Sequence, residues 1–246
     1  MKKLRKQTHL LIIVMVFSMI LTPTVYAGLV EDMVTFDRDY IPALALSNQP
    51  DKTTAQVTES LRRLNAAWEK FIKGLSQSDR ENAALDQAIK ESERKIDEAG
   101  KLISAGKRKE AHEALEAVRM GFWKARTAMG MDYLPDRLTA FHEPMEEFYD
   151  QSIKPGAEAT KIKGLLSALS VRWSDVEKVK LNLGLFRFSE EKAARFADRV
   201  KKERQILTQL SDFIASGNKK ALVQAAGPMK ANFAQIYLLF GDFTGL

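Results

Sequence analysis

The residues best suited to metal or ligand chemistry lie between positions 112 and 146. Two histidines follow residue 27, and the second, His142, is followed closely by a thioether, Met145, and a carboxylate, Glu146. On a continuous helix His142 and Glu146 would share a face, which suits a divalent metal ion. Pro144 lies between them and favours the alternative that a new helical turn opens here. The pattern predicts a metal site formed by His142, Glu146, Met145 and His112.

Methionines near the histidines bear on which metal would bind. Met129 and Met131 follow His112 in the sequence, and thioether with imidazole suits copper(I) or haem iron. The alternative is structural, because methionine commonly fills gaps in a core and His112 lies beside Glu113 and Glu116 at the edge of an apolar stripe. Copper or haem binding and ordinary packing are therefore both retained as interpretations.

Two further residues are candidates for contact with a ligand or a partner protein. Trp68 and Trp173 occupy matching positions in apolar stripes, so we interpret them as core residues. Trp123 has no aromatic counterpart in the second half of the chain and is predicted to line a pocket or an interface. Glu143, next to His142, is predicted to lie at such a surface as well.

The composition excludes several classes of chemistry. The chain has no cysteine, which removes thiolate metal sites, thiol catalysis and haem attachment through a Cys-x-x-Cys-His motif. With two histidines after residue 27 and no glycine-rich phosphate loop, the sequence offers little from which to build a nucleophilic triad or a nucleotide site. We therefore predict that the protein is not an enzyme.

The first 27 residues are organised as a secretory signal peptide. Basic residues at positions 2, 3, 5 and 6 precede an apolar run, and a cleavage site of small residues ends at Ala27. We predict cleavage before Gly28 and export to a bacterial periplasm. A retained membrane anchor is the alternative, but the apolar core is shorter than the roughly 20 residues that span a bilayer. No stable membrane span is predicted after cleavage.

Loss of the leader changes the charge of the protein. Of the 38 Lys and Arg residues, four lie in the leader, so 34 stand against 32 Asp and Glu and the net charge falls from +6 to +2. A protein so close to neutrality has no general attraction for polyanions. Nucleic acid is therefore not a predicted partner.

The sequence repeats itself at an interval of 111 residues. The segment from Ile103 to Gly130 aligns without a gap on the segment from Ile214 to Gly241, with identical residues at 103, 106, 109, 114, 122 and 130 of the first segment. Upstream, the spacing of Leu61, Leu64 and Trp68 recurs 105 residues later. Such internal similarity indicates two related structural units.

Apolar residues recur at intervals of three and four through most of the chain, which predicts amphipathic helices. A Ser-Asp-Arg-Glu sequence at 78–81 is predicted to cap the start of one of them. We predict an all-α protein of two tandem antiparallel helical bundles after the signal peptide. Residues 28–150 form the first unit and the junction, and residues 151–246 form the second.

Helix spacing and export together resemble the periplasmic helical bundles of the soluble b-type cytochrome and cytochrome c-prime kind. The resemblance implies a bundle fold, but the Cys-x-x-Cys-His motif is missing and no haem ligand carries over. The expected function is an exported, non-enzymatic protein that binds a partner protein or a small ligand. The alternative is a periplasmic carrier of copper or haem.

Overall fold

Helices make up all the regular structure of residues 27–246, the part of the chain that this computed structural model describes. The all-α prediction is confirmed for this part. The elements are α1 (Ala27–Ser47), α2 (Thr54–Gly74), α3 (Gln77–Glu81), α4 (Ala83–Ser104), α5 (Arg108–Ala128), α6 (Leu134–Ile153), α7 (Ala159–Glu177), α8 (Leu183–Phe186), α9 (Glu190–Ala215), α10 (Lys219–Tyr237) and a 3₁₀ turn (Leu238–Phe240). Apart from Ala27, the predicted signal peptide lies outside the described residues. None of the described helices is long and apolar enough to cross a bilayer.

The second helix illustrates how the apolar pattern folds. The Thr53 hydroxyl caps the helix by accepting a hydrogen bond from the Gln56 backbone N–H. In return, the Gln56 side-chain oxygen accepts a hydrogen bond from the Thr53 backbone N–H. From there Leu64 and Trp68 fall on the inward face and are buried. Burial of such a face, more than intrinsic propensity, stabilises helices of this length in proteins.

One predicted helix start is wrong. The capping box at this point is formed by Ser76 and Asp79, and it opens only the single-turn helix α3. The long helix α4 begins after Asn82, whose side chain accepts hydrogen bonds from two backbone N–H groups, those of Ala84 and Leu85. Asparagine is among the strongest N-cap residues because it satisfies these free donors.

The long helices pack in two groups with the same plan. In the first group α1 and α4 both lie against α2 and α5, and in the second α6 and α9 both lie against α7 and α10. By this packing α6 belongs with the second group. The boundary predicted at residue 150 falls inside this helix. The buried apolar side chains of both groups form one continuous cluster.

Matching aromatic rings occupy the centre of each group. Phe36 lies 5.7 Å from the ring of Trp68 and 5.8 Å from that of Phe122, measured between centroids. In the second group Phe141 lies 4.8 Å from Trp173 and 5.5 Å from Phe233. These spacings are typical of favourable aromatic pairs. The three pairs of equivalent rings are related by the offsets of 105 and 111 residues seen in the sequence.

The turns that join α4 to α5 and α9 to α10 also match. Gly106 and Gly217 both have positive φ, +74° and +68°, which favours glycine. In each turn the following residue donates to a carbonyl five residues earlier, Lys107 to Leu102 and Asn218 to Phe213, both at 2.9 Å. This is the Schellman arrangement that ends a helix and satisfies its last carbonyls.

The last residues of the chain return to the first two helices. The Asp242 N–H donates to the Arg38 carbonyl at 2.8 Å, and the Asp242 carboxylate pairs with the Arg38 guanidinium. Arg63 on α2 donates to the carbonyls of Asp242 and Thr244, each at 2.9 Å. We call residues 241–246 the C-terminal strap, because they tie the end of the second group to the first.

Candidate functional site

A cavity of about 460 Å³ lies where the two groups meet, between α1, α5, α6 and α10. All four residues predicted as metal ligands line it, namely His112, His142, Met145 and Glu146. The remaining lining residues divide into polar groups and an apolar wall. Cavities of this size and mixed character are typical of sites for small molecules.

Two His–Glu pairs face the cavity from neighbouring helices. On α5 the Nε2 of His112 lies 3.6 Å from the Oε1 of Glu116, and on α6 the Nε2 of His142 lies 3.5 Å from the Oε1 of Glu146. Helix α6 continues through Pro144, so the second pair keeps the i, i+4 spacing that places both side chains on one face. Both pairs belong to the same pentad, His-Glu-x-x-Glu, at 112–116 and 142–146. This repeated pentad is a sequence signal that the sequence analysis missed.

His112 is oriented by the backbone of α1. Its Nδ1 lies 2.8 Å from the Leu44 carbonyl and 3.3 Å from the Ser47 hydroxyl. A carbonyl only accepts, so Nδ1 carries a proton and donates to Leu44. The Nε2 atom is thereby left to face Glu116 and the cavity.

His142 is held neutral by its surroundings. Burial, together with the positive charges of Arg119 and Lys230, lowers its pKa to about 2. Arg119 Nη2 lies 2.8 Å from Nδ1, and a guanidinium can only donate, so Nδ1 accepts this hydrogen bond. The single ring proton therefore lies on Nε2, directed toward Glu146.

Two cations complete the polar wall, and the sequence analysis identified neither. Arg119 is buried, pairs with Glu116, and lies over the Tyr237 ring with 5.4 Å to the centroid. Lys230 pairs with Glu146 at 2.5 Å. The two residues are 111 positions apart, the interval at which the two similar sequence segments align. That interval, together with the histidines nearby in sequence, could have drawn attention to them.

Apolar side chains also line the cavity. Ile41 and Leu44 come from α1, Phe233 comes from α10, and Leu238 follows it. Met145 is almost wholly buried, and the Phe233 ring lies 5.5 Å from that of His142. A ligand here would contact both charged groups and hydrocarbon.

The metal ligands predicted from the sequence share the cavity, and two of them are in contact with cations. Among residues 27–246 no group of three or more His, Asp or Glu side chains is arranged to hold a metal ion. The physical reason lies in the cations, because Arg119 occupies Nδ1 of His142 and Lys230 occupies one oxygen of Glu146. Both ligands are already used by positively charged neighbours.

Trp123 and Glu143 lie elsewhere. Trp123 is half-buried and lines a smaller groove of about 290 Å³ between α5, α6 and α7, together with Tyr133 and Arg137. Glu143 is exposed on α6 and does not line the cavity. The structure therefore separates these two residues from the His–Glu pairs.

A buried polar network holds α1, α5 and the start of α6 together near this groove. Arg126 donates to both carboxylate oxygens of Asp136, at 2.6 and 2.8 Å, and stacks over the Tyr133 ring. The Tyr133 hydroxyl donates to Asp37 at 2.7 Å. Burial raises the pKa of Asp37 to about 6 even though Arg126 and this hydrogen bond act to lower it. The network fixes the angle at which α6 leaves the first group.

Comparison with protein-family models, with curated proteins and with solved structures gives no match to this chain, so the site is interpreted from its own geometry.

Proposed function

We propose that this chain is an exported, non-enzymatic protein that binds a small ligand in the cavity between α1, α5, α6 and α10. The observation that carries the proposal is the composition of the cavity, which is lined by two imidazoles, two carboxylates and two cations together with apolar side chains. Convergent polar groups in an apolar cleft are the usual mark of a small-molecule site. Binding is favoured over catalysis because both cations are paired with carboxylates and His142 is held neutral.

We further propose that the mature protein is a tandem duplication and that it resides in the periplasm. The repeated helix pairings, the equivalent aromatic rings and the two matching glycine turns support duplication. On this basis the second unit begins with α6 at Leu134. The basic and apolar organisation of residues 1–27, followed by a small-residue site at Ala27, supports export. A partner protein at the Trp123 groove is the other form of the binding proposal.

A cavity-filling substitution tests ligand binding. Ala234 lines the cavity and its side chain is exposed, so Ala234→Trp fills the space without disturbing the core. Ala231→Trp adds the same side chain on an exposed face of α10 outside the cavity and is the matched control. The proteins are purified from an expressing bacterium, and small molecules released on denaturation are compared by mass spectrometry. We expect a compound that is retained by the parent and by Ala231→Trp and is lost from Ala234→Trp.

The same variants supply an independent readout. Bound ligand raises the unfolding temperature by mass action, so dialysis should lower the Tm of the parent and not that of Ala234→Trp. If all three proteins release the same compounds and respond equally to dialysis, the cavity is not the binding site.

A second candidate is a metal carrier, which one observation favours. The Nδ1–H of His112 is held by a backbone carbonyl and its Nε2 faces a carboxylate oxygen at 3.6 Å, an orientation common among metal-binding histidines. Copper or zinc bound between these two atoms would leave Arg119 on the other oxygen of Glu116, Oε2. Titration with Cu(I) and Zn²⁺, in the parent and in His112→Gln, tests this candidate. Stoichiometric binding abolished by the substitution would support it.

Haem is the less favoured form of this carrier. Both ring nitrogens of His142 are directed at protein groups, Nδ1 at Arg119 and Nε2 at Glu146. An axial bond to iron would break one of these contacts. An absorption spectrum of the purified protein would reveal a Soret band if haem were bound.

A further inference from the structure

The charges that line the cavity cancel in two local pairs. Glu116 pairs with Arg119 along α5, and Glu146 pairs with Lys230 between α6 and α10. His142 adds no charge because its pKa lies far below neutrality. A ligand with one charge would leave a net charge in the cavity, whereas a ligand with one positive and one negative group would keep the cavity neutral.

Among the described residues, each carboxylate has one oxygen that accepts no hydrogen bond, although the Nε2–H of His142 is directed at that of Glu146. Within residues 27–246 the Oε1 atoms of Glu116 and Glu146 accept no hydrogen bond, and the nearest ring nitrogens lie at 3.6 and 3.5 Å. Beside the first of them lies His112 Nε2, a second acceptor when the ring is neutral. Two facing acceptors are satisfied by a group that donates several hydrogen bonds, such as a primary ammonium.

A carboxylate has a matching place at Lys230. Its ammonium carries three N–H groups, of which one reaches Glu146 Oε2, and the side chain is a third exposed. The ammonium also lies 4.4 Å from the centroid of the Tyr149 ring, which limits its movement. It is therefore held at the cavity with donors to spare.

From these contacts we infer that the ligand is a zwitterion with an apolar body, of the chemical class of an apolar α-amino acid. Its ammonium binds between the free oxygens of Glu116 and Glu146, its carboxylate binds Lys230, and its side chain lies against Ile41 and Leu44. The inference rests on the proposed binding function, because it names the ligand class of the same cavity.

Three probes that share a hydrocarbon body test the inference by isothermal titration calorimetry at pH 7. L-phenylalanine carries both charges, 3-phenylpropanoate carries only the carboxylate, and 2-phenylethylamine carries only the ammonium. We expect L-phenylalanine to bind at least about tenfold more tightly than either analogue, because each charge-assisted hydrogen bond contributes on that scale.

Neighbouring glutamates on α6 supply matched variants. Glu146→Gln removes a cavity carboxylate, whereas Glu147→Gln removes one that pairs with Lys161 outside the cavity. We expect Glu146→Gln to weaken binding of L-phenylalanine about tenfold and Glu147→Gln to leave it within about twofold. Equal losses in the two variants would overturn the placement of the ammonium.

The outcomes separate the ligand class from the binding function. If the two analogues bind as tightly as L-phenylalanine, the cavity binds ligands but does not recognise a zwitterion, and the inference fails alone. If none of the probes binds, the inference also fails, and the proposed function is decided separately by the compounds that Ala234→Trp does or does not retain.

Discussion

Glu203 on α9 is a carboxylic acid shielded from solvent. Its Oε2 accepts a hydrogen bond from the Asn232 side chain at 2.6 Å, while Oε1 has no partner among the described residues. Burial raises its pKa to about 8, and the Asn232 hydrogen bond only partly opposes this. Glu203 is therefore protonated at neutral pH and acts as an uncharged polar group in the core.

This raised pKa makes stability depend on pH in a defined direction. Between its unfolded pKa, near 4.5, and its folded pKa, about 8, the folded state binds one proton more than the unfolded state. The contribution of Glu203 is thus fully present below pH 4.5 and is lost as the pH rises through 8. Replacement of Glu203 by glutamine, an uncharged residue of the same shape, should remove this loss of stability at high pH.

We expect Glu203→Gln to be more stable than the parent at pH 9 by about 4 kcal/mol, and to match it within about 0.5 kcal/mol at pH 5. Urea unfolding at the two pH values measures the difference. Glu191→Gln, an exposed substitution on the same helix, is the control and should change neither value. A variant less stable than the parent at both values would show that Glu203 is ionised in the fold.

His142 should fail to titrate across the physiological range. Its pKa is lowered to about 2 by burial and by the nearby positive charges of Arg119 and Lys230. In ¹⁵N NMR spectra we expect the His142 ring to keep the signature of the neutral Nε2–H tautomer from pH 8 down to the onset of acid unfolding. A midpoint near the ordinary value for histidine, about 6.5, would mean that the hydrogen bond from Arg119 does not form in solution.

The two histidines predicted from the sequence as metal ligands both line the cavity, but the sequence could not identify their partners. His112, His142 and Glu146 stand out because imidazoles are scarce in this chain and the spacing is helical. Arg119 and Lys230 do not stand out, because the sequence around a single basic residue on a charged helix is the same whether its side chain faces water or a buried carboxylate. Only packing distinguishes the two cases, and it brings α5 and α10 together from distant parts of the chain.

At the scale of elements, the glycine turns make a direct prediction. Gly106 adopts a φ of +74°, where a side chain is strained, so Gly106→Ala should lower the free energy of unfolding by about 1 kcal/mol. Gly121 lies inside α5, where an added Cβ meets no atom within 4 Å. Gly121→Ala should therefore raise the free energy of unfolding by about 0.5 to 1 kcal/mol.

Urea unfolding of the two variants measures both effects, and Gly217→Ala repeats the first in the equivalent turn. A loss at Gly106 without one at Gly217 would indicate that the two turns are not equivalent in solution.

Helices were predictable from the sequence where an apolar stripe is long and continuous. The stripe through Leu64 and Trp68 corresponds to α2, and the one through Leu115 and Phe122 corresponds to α5. Short elements were not predictable in this way, because α3 and α8 bury too little to leave a periodic pattern. The placement of Pro144 inside α6 also required tertiary contacts, which stabilise a helix that proline alone would interrupt.

At the scale of the whole molecule, the continuous core predicts cooperative unfolding. Because buried side chains of both helix groups belong to one cluster, the two groups should unfold in a single transition. A variant with Trp68→Phe and Trp123→Phe keeps Trp173 as a fluorescent probe of the second group. We expect its fluorescence and far-ultraviolet circular dichroism to report the same urea midpoint.

A Trp173→Phe variant, which reports on the first group, is the companion measurement. In each variant the urea midpoint measured by fluorescence is compared with the midpoint measured by circular dichroism. If the fluorescence midpoint is higher in one variant and lower in the other, the two groups unfold separately.

The relative placement of the two groups was beyond what periodicity could predict. Matching rings such as Trp68 and Trp173 account for the packing within each group. They do not decide whether the two groups form separate bundles or one continuous array. The contacts between groups depend on non-repeated residues, among them Asp37, Tyr133 and Arg126. Their polar character suggests a surface position when the sequence is read alone, because charged residues are seldom buried unless paired.

The C-terminal strap sets an order of events during biosynthesis. Chains are translocated N-terminus first, so an exported form of this protein would deliver α1 to the far side of the membrane before any of its distant partners. The bond from Asp242 to the Arg38 carbonyl spans 204 residues. Helix α1 can pack against α2 and α5 before residue 242 is made, whereas the bonds of the strap to Arg38 and Arg63 form only afterwards.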